Sequence, residues 1–354
     1  MKIGKVSESV LKRSILKQIK TKREEILNGA AVGEDCAIFS LSEGASVREV
    51  KAPTQQAQYV LASCMQEAAV AVKAALGVSE GSAFPVMTIG HLIQKCANNL
   101  AVSGATPIAA MITLLLPESI EEADIKELMS QAEAACSVLS MQIAGGQTTV
   151  SRAVNAPVAV VTGYGRLKKG TQYTARAVKP GQDIVVSKWI GLEGTAILAE
   201  RNREKLLKRY PAYLVEAATG FDSYLSVIPE AATAMKSGVC AMHDASEGGI
   251  FAALWELAES AGVGLSVDLK KLPLRQETVE VCECCNVNPY ELMSGGCLVM
   301  TTEDGLGLAA ALQEAGIPGA IVGKITDSND RILINEDEVR YMDRPKTDEI
   351  YKAQ

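Results

Sequence analysis

The stretch His243-Asp-Ala-Ser-Glu-Gly-Gly249 places a histidine, two acids and two glycines directly before an apolar helical repeat. In that repeat Ile250, Leu254 and Leu257 follow at helical spacing, so they share one face of a predicted helix. The free N–H groups at a helix N-terminus attract anions, and glycines let a phosphate or carboxylate approach them closely. The alternative is that Ser246 caps the helix and the glycines only permit tight packing.

His243 and Asp244 are the catalytic candidates of this stretch. An imidazole can transfer a proton near neutral pH, and a carboxylate could orient it. Neighbouring residues on an extended segment point to opposite sides, however, so the adjacency does not imply a dyad. We expect His243 to position a ligand rather than to act with Asp244 as a pair.

A second acidic motif, Gly33-Glu34-Asp35, lies just before a strand-like apolar run. Carboxylates at the entrance of a strand can hold Mg²⁺, because this ion prefers hard oxygen ligands. Asp35 is therefore the candidate metal ligand, and an ordinary surface turn is the alternative. Lys5 lies in a basic amphipathic segment that is either a solvated helix face or able to fold over an anionic ligand.

The order of apolar segments predicts an α/β fold. A helix from about Ile89 should end at Gly104, and a capping box at Ser119–Glu122 should open the next helix. That second helix is expected to stop at Gly145-Gly146, and Ala320–Ile325 is expected to be the last core strand. A composition change near residue 168 predicts two domains, 1–168 and 169–354.

Composition restricts the functional classes. The chain has 354 residues, 48% hydrophobic, and a net charge of −7, which argues against nucleic acid or an anionic membrane as partner. Neither a run of 18 apolar residues nor a signal peptide is present, so we expect a cytoplasmic protein with reduced thiols. The cluster Cys282-x-Cys284-Cys285 lacks the paired spacing of a zinc site, and buried helical thiols are the favoured interpretation.

The joint order of these motifs resembles the aminoimidazole ribonucleotide (AIR) synthetase superfamily across essentially the whole chain, closest to the AIR-synthetase-related subgroup allied to HypE. The motifs that carry the resemblance are Gly4-Lys5, Gly33-Glu-Asp-Cys-Ala37, Gly104-Ala-Thr-Pro107, Gly145-Gly146-x-Thr148, Lys179-Pro-Gly181, Gly191-x-Glu-Gly-Thr195, His243–Gly249 and Ser294-Gly-Gly296.

The resemblance implies an N-terminal domain (1–168) that dimerises through its sheet and binds Mg²⁺-ATP near the dimer seam. It also implies a C-terminal α/β domain (169–354) whose turn 243–249 faces the acceptor substrate across a cleft. Enzymes of the family activate an amide- or carbonyl-type oxygen by phosphorylation. A small-molecule ligand and a maturation-protein partner are the implied partners. The residues implied to bind nucleotide or phosphate are Lys5, Glu34, Asp35, Asn99, Gly145, Gly146, Thr148, Asp244, Ser246, Glu247, Gly248 and Gly249.

The chain departs from the family at the metal ligands. Family members hold magnesium with aspartates from four places, and only Asp35 matches here; the other three positions read Cys64, Asn99 and Gln147. A thiol and two amides are poor replacements for carboxylates around Mg²⁺. The cysteine with which the HypE-type dehydratase ends is also missing, because no cysteine follows Cys297.

Three hypotheses follow from this combination. The chain could be an ATP-dependent enzyme that activates or dehydrates a small amide-type substrate with relaxed metal ligation. It could be a degenerate homologue that senses a nucleotide or phosphorylated metabolite. It could also be a dimeric scaffold for a maturation partner. The intact 243–249 motif favours retained ligand binding, whereas Cys64, Asn99 and Gln147 favour sensing over turnover.

Overall fold

The computed structural model describes residues 8–10, 12, 13, 16, 26–28, 30–34, 36–40, 59–72 and 87–353. Two sheets organise this part of the chain. Residues 26–168 form a six-stranded sheet of order β1-β2-β3-β6-β4-β5, and residues 183–341 form a seven-stranded sheet of order β13-β12-β9-β11-β7-β10-β8. Helices pack on both, so the α/β prediction is confirmed.

The strands are β1 (Ile26–Asn28), β2 (Ala37–Ser40), β3 (Tyr59–Ala69), β4 (Thr106–Leu116), β5 (Gln142–Val150), β6 (Val158–Lys168), β7 (Asp183–Ser187), β8 (Val239–Ala245), β9 (Gly264–Asp268), β10 (Cys297–Thr302), β11 (Gly319–Thr326), β12 (Arg331–Asn335) and β13 (Glu338–Tyr341). The helices are α1 (Glu8–Val10), α2 (Ile89–Val102), α3 (Glu122–Val138), α4 (Leu192–Arg201), α5 (Arg203–Leu207), α6 (Ala212–Thr219), α7 (Ile228–Lys236), α8 (Gly249–Ala261), α9 (Gln276–Cys285) and α10 (Gly305–Glu314).

The six-stranded sheet has one buried and one open face. Along β3 and β6 burial alternates with a period of two, because successive side chains point to opposite faces. The buried face packs against α2 and, through it, α3. On the open face Met65 and Met111 both lie opposite Thr162, so the three form a row across β3, β6 and β4.

Helix α2 lies between the two sheets and positions the site described below. Eleven of its fourteen residues are buried, which is the pattern of a helix that is covered on all sides. Its Ala101 and Val102 pack with Val227 and Met242 of the C-terminal half. The helix ends as the sequence predicts, since Gly104 follows it in the left-handed conformation with φ 88°.

The prediction that a helix stops at Gly145-Gly146 is wrong. Helix α3 already ends at Val138, and the two glycines lie inside the edge strand β5, which runs parallel to β4. At Gly146 (φ 155°) a Cβ atom would lie 1.8 Å from the Ile112 carbonyl oxygen. The glycine is therefore required by the close approach of β4, and not by a helix end.

Two smaller predictions are also corrected. The residue before α3 is Glu121, whose N–H donates to the Asp124 carboxylate (3.0 Å), so the capping box begins two residues later than at Ser119. Strand β11 is not the last core strand, because β12 pairs in parallel with β9 and buries Leu333.

Candidate ligand-binding site between the two sheets

The glycine pair 248–249 follows strand β8 and a short turn, and it begins α8. His243 and Asp244 belong to β8, and the chain then turns through Ser246 and Glu247. Gly248 is the N-cap of α8 with φ 87°, and Gly249 follows with φ 68°. The alternative in which Ser246 caps the helix is therefore wrong.

The two glycines have different neighbours. At Gly249 a Cβ atom would lie 2.6 Å from the Tyr290 carbonyl oxygen and 2.7 Å from that of Leu292, so this position serves close packing. The backbone N–H of Gly248 donates instead to the carboxylate of Asp348, at 2.5 Å. A carboxylate thus sits at the N-terminus of α8, and it belongs to the chain itself.

Asp348 is bound by two further backbone N–H groups, those of Ile350 (2.8 Å) and Met293 (3.3 Å). Its side chain is almost completely buried. Burial raises the pKa of Asp348 to about 7, although the N–H donors of Ile350, Gly248 and Met293 act in the opposite direction. The segment that carries it therefore packs into the wall formed by α8 and the turn before β10.

The turn 294–296 joins the two glycine-rich motifs of the C-terminal half. The Ser294 hydroxyl accepts a hydrogen bond from the N–H of Gly191 (2.8 Å), which precedes α4. The Ser294 N–H donates to the Ser246 carbonyl (3.2 Å). At Gly295 a Cβ atom would lie 2.4 Å from the Glu193 carboxylate. The first turn of α4 and the turn before α8 are therefore fixed as one wall.

Lys95 of α2 faces this wall from the other sheet. Its ammonium donates to both carboxylate oxygens of Glu193, at 3.0 and 3.2 Å, and both side chains are buried. Burial alone would lower the pKa of Lys95, but Glu193, followed by Asp244 and Glu247, outweighs it and leaves the pKa raised. The lysine is thus a permanent cation facing three acids of the C-terminal half.

His243 of β8 contacts an acid of α8. The Nε2 atom of His243 lies 3.3 Å from the carboxylate of Glu256, which is on α8. The Glu34 carboxylate also reaches α8, where it accepts a hydrogen bond from Ser260 (3.5 Å). At Gly33 a Cβ atom would lie 2.5 Å from the Glu256 carbonyl oxygen, so this acidic motif packs directly on α8.

The nucleotide-binding residues implied by the motifs fall into separate groups. Glu34 lies before β2, whereas Gly145, Gly146 and Thr148 lie on β5. In the sheet order four inter-strand spacings separate β2 from β5, roughly 19 Å. One copy of the chain therefore does not bring these two groups together. Lys5 and Asp35 lie outside the described residues.

Cys64 lies where a metal-binding carboxylate is expected, and the thiols of Cys36 and Cys96 are its neighbours. Cys64 donates to the Cys96 carbonyl (3.3 Å), Cys36 to the Asn99 carbonyl (3.1 Å) and Cys96 to the Val161 carbonyl (3.3 Å). Hydrogen bonds with the Cys36 and Cys96 thiols, together with burial, raise the pKa of Cys64 well above its ordinary value. Cys64 is therefore a neutral donor facing carbonyl oxygens.

The amides of α2 do not restore the missing ligands. Asn98 is fully used in packing the two halves together: its Nδ2 donates to the Leu225 carbonyl (2.7 Å) and its Oδ1 accepts from the Val227 N–H (3.0 Å). Asn99 is buried next to it, and Gln147 is exposed on the edge strand. Within the described ranges no group of three His, Cys, Asp or Glu side chains is arranged to hold a metal ion. The thiol of Cys64 and the amides of Asn99 and Gln147 do not fit Mg²⁺.

The cysteine cluster near the C-terminal end of α9 is part of the packing. Cys282 and Cys284 are buried, and all nine cysteines are free thiols. Burial raises the pKa of Cys282 to about 12 and that of Cys285 to about 11. Both side chains are therefore thiols near neutral pH, consistent with the interpretation as buried helical residues. No helix in the described part of the chain is long and apolar enough to cross a membrane.

Sequence reasoning missed Lys95, Glu193 and Asp348. Lys95 and Glu193 are 98 residues apart, and Asp348 lies 100 residues from Gly248. The one local signal was Lys95 itself, which is the only lysine, arginine or acidic residue in α2. Glu193 was visible only as part of a glycine motif, and nothing in the sequence pairs it with α2.

Two family descriptions match the chain. Residues 33–167 match the N-terminal domain of AIR synthase related proteins, and residues 179–335 match the C-terminal domain. A putative hydrogenase expression/formation protein of Methanocaldococcus jannaschii is 28% identical over 265 residues, which cover 71% of this chain and 74% of that protein. Carbamoyl dehydratase HypE of Rhodobacter capsulatus is 30% identical over 230 residues, 64% of this chain and 65% of that protein.

Solved structures share the fold. The HypE–HypF complex has a chain with TM-score 0.70 and 18% identity that covers 95% of this chain and 99% of its own. HypE in complex with ATP has TM-score 0.67 and 16% identity, with coverage of 88% and 90%. The two domain matches together span most of the chain, in the order that the two sheets follow. The chain belongs to the AIR synthase related family.

Proposed function

We propose that the chain binds a nucleotide or a phosphorylated metabolite as a ligand-binding member of its family, without magnesium-dependent phosphoryl transfer. The observation that carries the proposal is the buried thiol of Cys64, which donates to a carbonyl where the family has a carboxylate. ATP carries several negative charges that a phosphoryl-transfer enzyme neutralises with metal ions. A neutral thiol and two amides cannot hold these ions in the same way.

The proposed ligand lies between the turn before α8 and the N-terminal sheet. Retained features support binding there: the left-handed Gly248 N-cap, the acidic Gly33–Glu34 turn packed on α8, and the Lys95 ammonium at the interface. The solved relative in complex with ATP has the same fold, which supports a nucleotide as the first ligand to test.

ATP and ADP are expected to bind with affinities that change by less than about tenfold when Mg²⁺ is added, a difference of about 1.4 kcal/mol. No steady release of ADP should follow over hours. Isothermal titration with and without Mg²⁺, followed by chromatography of the nucleotides, measures both. A hundredfold gain with Mg²⁺, or continuous ADP production, would show that the replaced ligands still support a metal site.

ATP-dependent activation or dehydration of a small amide- or carbonyl-type substrate is the second candidate function. Its support comes from the relatives named carbamoyl dehydratase and from the relative solved with ATP. The same titration separates the two candidates, because turnover requires ADP as a product and sensing does not.

We propose further that two copies of the chain pair through the open face of the N-terminal sheet. Met65 and Met111 are 58% and 42% exposed and lie in one row with Thr162, so the face presents two large exposed apolar side chains. Within one copy, the Glu34 turn before β2 and Thr148 on β5 lie near opposite edges of the sheet. Pairing could bring the Glu34 turn of one copy close to Thr148 of the other.

Met65→Glu is expected to convert a dimer to a monomer, because each interface would bury two unpaired carboxylates. Light scattering coupled to size exclusion measures the mass. Val339→Glu is the matched control: Val339 is similarly exposed (64%) but lies on β13 of the other sheet. Equal masses for the wild type and both variants would contradict this interface.

A maturation protein is a further proposed partner, supported by the fold shared with the HypE–HypF complex.

A further inference from the structure

The C-terminal segment Asp348–Lys352 places a carboxylate at the N-terminus of α8. The Asp348 carboxylate accepts from Gly248 (2.5 Å), Ile350 (2.8 Å) and Met293 (3.3 Å). Only the Ile350 donor is local. The Gly248 and Met293 donors belong to the wall formed by α8 and the turn before β10, and the Asp348 carboxylate takes contacts that an external anion at this helix N-terminus would use.

The segment is anchored on both sides of this carboxylate. The Glu349 N–H donates to the Glu291 carbonyl (3.2 Å), and the Glu349 carboxylate accepts from the Asn288 N–H (3.2 Å). Ile350 is buried in the core cluster that includes Leu292 and Met293. The docked state is therefore a specific packing arrangement and not a loose surface contact.

An external anion and the Asp348 carboxylate cannot both take the Gly248 N–H. That N–H is a single donor, and a hydrogen bond of 2.5 Å uses it fully. Electrostatic repulsion also disfavours an external anion next to Asp348. Glu247 lies close enough to raise the pKa of Asp348, so a further negative charge at this position would add to the repulsion. Binding at this N-terminus requires the segment to leave.

We propose that Asp348–Lys352 is a built-in carboxylate ligand, an autoinhibitory strap that closes the N-terminus of α8 until an external phosphate or carboxylate group displaces it. The strap lowers the apparent affinity for such a ligand by the fraction of molecules in which it is open. The inference rests on the proposed function in one respect, namely that the ligand presents an anionic group to this turn.

The test compares the full-length wild type with Asp348→Ala, using ADP as the probe. If the strap is open in a tenth of the molecules or fewer, the variant should bind ADP about tenfold or more tightly. In the wild type, hydrogen exchange of the backbone amides in 348–352 should rise when ADP is saturating. Asp343→Ala is the control, because Asp343 is an exposed acid five residues before the strap and pairs with the nearby Lys346.

The outcomes separate the strap from the proposed function. ADP binding of equal affinity in the wild type and Asp348→Ala, with 348–352 still protected, overturns the strap and leaves the proposed function intact. Binding by the variant alone supports both. Absence of binding to either protein, for ATP, ADP and AMP, overturns both. Exchange in the wild type is read without any substitution, so a variant that fails to fold does not remove the test.

Discussion

Glu193→Ala is expected to lower the free energy of unfolding by about 3 kcal/mol or more, the largest effect of any single substitution at the interface. The reason is the ammonium of Lys95, which is buried in α2 and loses the carboxylate that accepts two of its hydrogen bonds. A buried charge left without its partner costs far more than the intact pair contributes. Urea unfolding followed by circular dichroism and by Trp189 and Trp255 fluorescence measures the change.

Two controls distinguish the buried pair from a general effect of losing a charge. Glu283→Ala removes the partner of Arg209 in an exposed pair, so the unfolding free energy should change far less than in Glu193→Ala. The double variant Lys95→Met with Glu193→Leu keeps the volume and removes both charges, and it should recover most of the lost stability. A Glu193→Ala protein as stable as the wild type would mean that Asp244 and Glu247 compensate Lys95 without Glu193.

Local signals predicted the elements that carry the candidate site. The helical repeat from Ile250 onward gave α8, and Gly104 marked the end of α2, because both features depend on residues within a few positions of one another. The glycine pair 248–249 was open to two interpretations, packing or anion contact. The structure assigns packing to Gly249 and a carboxylate contact to Gly248.

Contacts between distant parts of the chain were not predictable in the same way. Gly145 and Gly146 follow a helical pattern, and only the approach of the Ile112 carbonyl from the neighbouring strand shows why glycine is needed. In the sequence Asp348 is one acid in a polar terminal segment, and only the fold shows that it contacts Gly248. The residue pattern of one segment does not identify the distant residues that the folded chain brings into contact with that segment.

The stability contributed by Asp348 is expected to fall as the pH rises from about 4 to 7. Burial raises its pKa from 3.8 to about 7 in the folded protein, so the folded state binds this proton more tightly than the unfolded chain does. Stability from such a group is complete below the unfolded pKa and is lost as the pH passes through the folded pKa. About three pH units correspond to roughly 4 kcal/mol at most.

The measurement is the difference in unfolding free energy between wild type and Asp348→Asn across this pH range, because other groups also titrate there. Burial raises the pKa of Glu67 and Glu291, which adds to the loss, and lowers that of His91, which opposes it. These contributions cancel in the difference because both proteins contain the same groups, and the Asp348 contribution remains because asparagine does not titrate. A difference that shrinks as the pH rises confirms the raised pKa. One that grows would show that the N–H groups of Gly248, Ile350 and Met293 outweigh burial, so that the strap closes more firmly at neutral pH.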